Sequence, residues 1–151
     1  MSEREFEQTV EQTVELAFVA LGSNLGDRDA HLAFAREAIG STPGVVIVAE
    51  SPIEETEPLG GLAQPAYLNQ MVAVRTSLQP AELLDRLHDI ERSRGRMRDT
   101  RWASRTLDLD LVRFGKVESA LAELQLPHPG LATRDFWRRE LAAVERALGA
   151  A

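Results

Sequence analysis

The 151-residue chain contains no cysteine, which excludes a disulfide scaffold, a thiolate zinc site and a cysteine nucleophile at once. It contains no apolar run long enough to cross a bilayer, the longest being near Leu16 to Leu21. Its first fifteen residues hold a single arginine against Glu3, Glu5, Glu7, Glu11 and Glu15, the wrong chemistry for a secretory or transit segment. A cytoplasmic protein with no membrane partner is therefore expected. Two phosphate-binding signatures are missing as well. The turn Gly22-Ser23-Asn24-Leu25-Gly26 lacks the lysine of a P-loop, and no G-x-G-x-x-G follows a strand, which argues against a Walker-type kinase and a Rossmann enzyme. The three histidines have no metal-ligand spacing, so no zinc site is expected.

What is present suits one globular domain. A chain of this length buries enough surface for a core without staples, and 44% hydrophobic with 27% charged residues is far from a disordered composition. Residues 1–14 read as an acidic extension and 15–151 as a single domain. The net charge of −7 argues against a general nucleic-acid binder, but it is unevenly spread. Residues 1–57 carry 12 acids and 3 bases, whereas 58–151 carry 12 acids and 14 bases. Arg92, Arg94, Arg96, Arg98, Arg101 and Arg105 fall within fourteen residues, opposed by Asp99 alone, a cluster suited to a compact polyanion.

The apolar run Leu16 to Leu21 predicts a buried strand. Leu32, Ala35 and Ile39 predict a helix opened by Asp27 and Asp29 and ended at Gly40, and Val45 to Ala49 a second strand. Pro52 to Pro65 reads as a long loop and Tyr67 to Thr76 as a strand. Pro80 opens a helix with Leu83, Leu84, Leu87 and Ile90 on one face, which Gly95 closes, and Leu107 to Leu111 alternates with period two. The order βαββαβ predicts an α+β, ferredoxin-like fold: a mainly antiparallel sheet with two helices on one face. The spacing of Trp137, Leu141, Val144 and Leu148 adds a C-terminal helix.

Asp108 and Asp110 project from one face of their strand, opposite Leu107, Leu109 and Leu111. They are either an acidic solvent face or a pair of hard oxygen ligands for Mg²⁺, which keeps its waters and shares phosphate oxygens. The neighbouring arginines favour the second reading, because phosphate transfer needs cations on the oxygens. Arg96, Arg98 and Arg105 are the arginines most suited to that task, while Arg92 and Arg94 read as helix-end charges on the last carbonyls. Trp102 is either a loop anchor or a flat surface for a ring. Tyr67 and Asn69 share a face that is either a core tyrosine beside a surface amide or a holder for a planar heterocycle. His128, fixed between Pro127 and Pro129, suits a phosphate or ribose contact, and His88, one turn before Glu91, is within reach of a nucleotide.

These segments together resemble the 6-hydroxymethyl-7,8-dihydropterin pyrophosphokinases. The resemblance runs from about Leu16 to Phe136 through ALGSNLGD, TEPLG, QPAYLNQ, IE, RWASRTLDLDL and PHPGLATRDF, and RTLDLDL in register with YLN is its most specific part. It implies transfer of diphosphate from ATP, the co-substrate, to a pterin alcohol in folate biosynthesis. Asp108 and Asp110 would be ligands of two Mg²⁺ ions. Tyr67 and Phe136 would sandwich the pterin, with Asn69 and backbone near Thr56 and Leu59 reading its edge. Arg96 matches a catalytic arginine and Arg105 a second; Arg98, Trp102, Arg105, His128 and Arg134 match positions near ATP, as do His88 and Glu91. A monomer acting on small molecules alone is the implied assembly. The chain departs from the family's pattern at Asp99-Thr100 where many members carry a lysine, at Glu123 for an arginine, at Pro129 for a tyrosine, and after Phe136, where Trp137-Arg138-Arg139-Glu140-Leu141 replaces an apolar-Pro-Leu run. The competing readings are a member that has lost catalysis and a ferredoxin-like nucleotide or RNA binder. Phe18, Tyr67 and Phe114 offer the latter no RNP pattern.

Overall fold

The computed structural model describes residues 13–57, 65–94 and 107–150. Its sheet is organised around β1 (Glu15–Ser23), which lies between β4 (Tyr67–Thr76) and β5 (Asp108–Phe114) and pairs antiparallel with both. A central strand must be apolar on both faces, and this explains why the β1 run does not alternate. Ala17, Val19 and Leu21 enter one core and Phe18 and Ala20 the other. The outer strand β2 (Val45–Glu50) completes the order β2-β4-β1-β5, every neighbour antiparallel. The class is α+β, as the sequence predicts.

Helix α1 (Arg28–Gly40) begins where Asp27 accepts the Ala30 N–H at 3.1 Å and ends at the predicted glycine. Helix α2 (Pro80–Ser93) is opened by Glu82, which accepts the Gln79 N–H at 2.8 Å. Leu32 and Ile39 of α1 and Leu83, Leu87 and Ile90 of α2 cover the same face of the sheet. The C-terminal helix α3 (Asp135–Ala150) covers the opposite face with Trp137, Leu141 and Val144. Among the described residues no helix is long and apolar enough to cross a membrane.

Two elements depart from the sequence expectation. The loop expected over Pro52 to Pro65 contains a short strand, β3 (Glu54–Thr56), paired with β4. Glu54 and Glu55 are poor strand formers, but β4 is ten residues long and β2 pairs only with its second half, so the first half presents an edge to be filled. Buried Ser51 makes the joint: its N–H donates to the Met71 carbonyl and its Oγ accepts the Met71 N–H, both at 2.9 Å. Further along, β6 (Ser119–Leu121) and β7 (Leu124–Leu126) form a hairpin beside the outer edge of β5, too short to show a period. A 3-10 turn, Pro129–Ala132, then leads into α3.

Candidate functional site

Register places the first group of side chains. Asn69 of β4 stands opposite Gly22 of β1, and Gly22 stands opposite Asp108 of β5, so the three form one row across the sheet on the face covered by α3. Two strand spacings separate Asn69 from Asp108, about 10 Å between backbones. Because residue 22 is glycine the row dips at its centre into a shallow trough, and the neighbouring side chains lean over it. A Cβ there would lie 3.1 Å from Asn69 Oδ1 and 3.5 Å from a Tyr67 ring carbon. Thr56 is paired with Tyr67, and its hydroxyl accepts a hydrogen bond from the Asn69 amide. That bond fixes the amide, leaving its carbonyl oxygen toward the trough. Phe136, in the first turn of α3, packs onto the same apolar cluster.

Asp110, 38% exposed, lies two residues along β5 on the same face as Asp108. His128 Nε2 stands 3.8 Å from one of its carboxyl oxygens and Arg134 Nη1 4.0 Å from the other. Both partners are held by Trp137, which is 2% exposed: His128 meets its ring edge-on at 4.9 Å and the Arg134 guanidinium lies 4.4 Å over it. Gly130 makes this platform possible, since a Cβ there would lie 2.6 Å from the indole. His128 Nδ1 accepts the Gly130 N–H at 2.9 Å, so the neutral ring carries its proton on Nε2, toward Asp110. Burial lowers the His128 pKa and Arg134 adds to this, against the opposing pull of Asp110. The imidazole is neutral at pH 7, a hydrogen-bond donor at a distance that leaves room for a ligand oxygen.

On the outer side of β5 a cleft of about 170 Å³ is lined by His88 from α2, Asp110 and Leu111 from β5, Glu123 and Leu124 from the hairpin, and His128. Glu91 is turned inward: it is 4% exposed and its Oε2 accepts the Leu109 N–H at 2.8 Å, between the two aspartates. Arg92 pairs with Asp89 on the surface of α2. Arg94 leaves the helix end to donate to His31 Nδ1 at 2.9 Å and to stack on Phe34; Arg92 is the expected basic residue of the last turn, but among the described residues neither guanidinium bonds a carbonyl there. Leu59, Arg96, Arg98, Trp102 and Arg105 lie outside the described residues.

The structure thus brings Thr56, Tyr67, Asn69, Phe136, Asp108, Asp110, His128 and Arg134 to one face, with His88 across the edge of β5. Sequence reasoning missed Gly22, Gly130 and Trp137. The spacing Arg134-x-x-Trp137 across the start of α3 was a usable signal for the last of these, since i and i+3 side chains meet at a helix entry. Among the described residues no three His, Asp or Glu side chains converge as a metal cage. Two adjacent carboxylates fit a hard divalent ion that keeps waters and takes phosphate oxygens.

Comparison with known proteins agrees with the resemblance drawn from the motifs. The chain is 41% identical over 123 residues to a 2-amino-4-hydroxy-6-hydroxymethyldihydropteridine pyrophosphokinase of Pseudomonas aeruginosa, covering 82% of this chain and 76% of the relative. The proteins of the same name from Bacillus subtilis and Methylorubrum extorquens are each 39% identical, over 129 and 120 residues. These matches cover 85% and 80% of this chain and 77% and 76% of the respective relatives. Residues 18–146 match the family model of 7,8-dihydro-6-hydroxymethylpterin-pyrophosphokinase, and the chain belongs to that family.

Proposed function

We propose that the chain transfers the diphosphate of ATP to 6-hydroxymethyl-7,8-dihydropterin, with the pterin in the trough over β1 and the nucleotide at the outer edge of β5. The observation that carries this reading is the position of β5: Asp108 and Asp110 stand between a trough edged by an amide and an aromatic ring and a cleft edged by His88 and His128. The Asn69 amide, held by Thr56, offers a fixed acceptor to the edge of a pterin, and Tyr67 and Phe136 supply its flat walls. Leu59 is the further backbone contact expected there.

Asp108 and Asp110 would hold two Mg²⁺ ions, which when bound supply Lewis-acid charge to the phosphate oxygens and to the pterin hydroxyl. His128 and Arg134, held by Trp137, offer a neutral donor and a cation on the nucleotide side of Asp110. Arg96 and Arg105 are the further cations proposed for the transferring group, and His88, Glu91, Arg98 and Trp102 belong to the nucleotide side. With the pterin hydroxyl and the β-phosphorus in line, the residues orient both substrates and offset developing negative charge; no described side chain has to take the proton as a general base. The order β2-β4-β1-β5, with α1 and α2 on one face, supports the finer description of the fold as a ferredoxin-like split βαβ arrangement.

Chromatography of the nucleotide products tests the reaction. Protein, ATP, Mg²⁺ and the reduced pterin alcohol together are expected to give AMP and the pterin diphosphate, because diphosphate transfer breaks the α–β linkage. ADP as the main product overturns the reading, and no nucleotide product at all indicates a member that only binds.

A further inference from the structure

Glu140, on α3, is 3% exposed, and neither of its carboxyl oxygens has a hydrogen-bond donor facing it among the described residues. Its polar neighbour is another carboxyl group, that of Glu54 on β3. A buried carboxylate without a donor is costly, and two carboxylates in contact cannot both be ionised without strong repulsion. A single proton resolves both problems, because a carboxylic acid donates to the carboxylate beside it. Glu54 is the member suited to keep the charge: it is 31% exposed, and Arg139 Nη2 lies 3.4 and 3.5 Å from its two oxygens.

The place of this pair gives it a consequence. Glu54 precedes Thr56 by two residues on the same face of β3 and stands opposite Asn69 in the ladder. Glu140 follows Phe136 by four residues, one turn along the same side of α3. The pair therefore ties together the element that bears Thr56, on the edge side of the trough, and the one that bears Phe136, one of its walls, one repeat inward from each of these residues. We infer that Glu54 and Glu140 share one proton and that this proton is a positioning device, holding β3 against α3 so that Thr56 and Asn69 face Phe136 at the width of a pterin.

This rests on the reading of Asn69, held by Thr56, as the contact to the pterin's edge and of Phe136 as one of its walls. Burial, and after it the Glu54 carboxyl, push Glu140 up to about 9, while Arg139 pulls the other way. Among the described residues Glu54 from β3 and Arg139 from its own helix are the charged groups acting on it. The cluster that α3 makes with β2, β4 and the 3-10 turn contributes Val48, Ala49, Met71, Ala73 and Leu131 there, which carry no charge. The unfolded chain gives up this proton near the ordinary glutamate value, so the folded state binds more protons between there and about 9. The contribution to stability is thus complete in acid and is lost as pH rises toward 9.

Calorimetric binding of 6-hydroxymethyl-7,8-dihydropterin, with Mg²⁺ and a non-hydrolysable ATP analogue, tests the tie in wild type and Glu140→Gln. Glutamine keeps a donor toward Glu54 and cannot ionise. At pH 7 the two affinities should agree within about twofold; at pH 10, one unit above the wild-type transition, wild type should bind about tenfold more weakly than the variant. Titration of the pterin itself cancels in that ratio. Affinity for the nucleotide analogue alone should change with pH equally in both, which separates a local opening from general loss of structure. Glu54→Gln gives an independent second test: its amide donates to Glu140 without a shared proton, and the alkaline weakening should vanish there too. The same pH dependence in wild type and whichever of these variants folds overturns the inference. A Phe136→Ala variant that binds pterin like wild type instead overturns the assignment of the walls.

Discussion

Asp110→Ala is expected to abolish turnover, by about a thousandfold or more, while leaving the fold intact. The side chain contributes little to packing, being 38% exposed on a strand whose core contacts come from Leu109, Leu111 and Val112 on either side. Its polar contacts, 3.8 Å to the neutral His128 ring and 4.0 Å to the Arg134 cation, are long and partly solvated, worth at most about 1 kcal/mol. Removal also relieves repulsion from Asp108, the nearest residue on that face, so the thermal midpoint should stay within about 3 °C of wild type. The loss in rate has a different origin. Among the described residues Asp110 is the one carboxylate that both lines the cleft on the outer side of β5 and shares the trough face with Asp108; Glu123, the cleft's other carboxylate, sits on the β6–β7 hairpin, and so does not replace it as the proposed ligand between the two substrates. Asp110→Asn, which keeps size and hydrogen bonding but not charge, should be nearly as inactive. Single-turnover rates at increasing Mg²⁺ decide the matter. A variant within a few-fold of wild type at ordinary Mg²⁺ would sink the metal assignment.

The features legible in the sequence are those a short stretch of chain decides for itself. Asp27 caps α1 because a side chain three residues from an N–H reaches it without help, and the alternation at Leu107 to Leu111 needs only the pleat to become two faces. That alternation already placed both aspartates on one side, and the motifs named the family. What local pattern could not give was set by neighbours distant in sequence. β3 is a strand because β4 leaves an edge to be paired, and residue 22 has to be small because Asn69 and Tyr67 lean over it from another strand. The arrangement of His128 and Arg134 around Trp137 depends on a helix docking on the second face of the sheet. The contact of Glu54 with Glu140 joins residues that read singly as surface charge. Glu91 is the sharpest instance. The family resemblance puts it near the nucleotide, but no local pattern says that it is buried and bonded to a backbone amide.

Glu91→Ala should accordingly damage stability and activity together. Among the described residues β5 is the outer strand of the sheet and pairs with β1 alone, so the Leu109 N–H finds its partner elsewhere. The helix α2 supplies it from its last turn. Alanine leaves that N–H buried without an acceptor, at a cost of about 1–3 kcal/mol, and the volume of the lost side chain adds to it, giving about 2–4 kcal/mol in all. Glu91→Gln keeps an acceptor oxygen at the same reach and should cost about half as much or less, because a neutral acceptor is weaker than a charged one. The effect on activity follows from geometry: Leu109 lies between Asp108 and Asp110, so a β5 edge released at that amide lets both carboxyl groups shift. Denaturant unfolding should therefore rank wild type above glutamine above alanine, and the Mg²⁺ concentration for half-maximal turnover should rise in the reverse order. An alanine variant as stable as wild type would show that the Leu109 amide finds another partner. One that is destabilised but has an unchanged Mg²⁺ requirement would show that the aspartates keep their places without it.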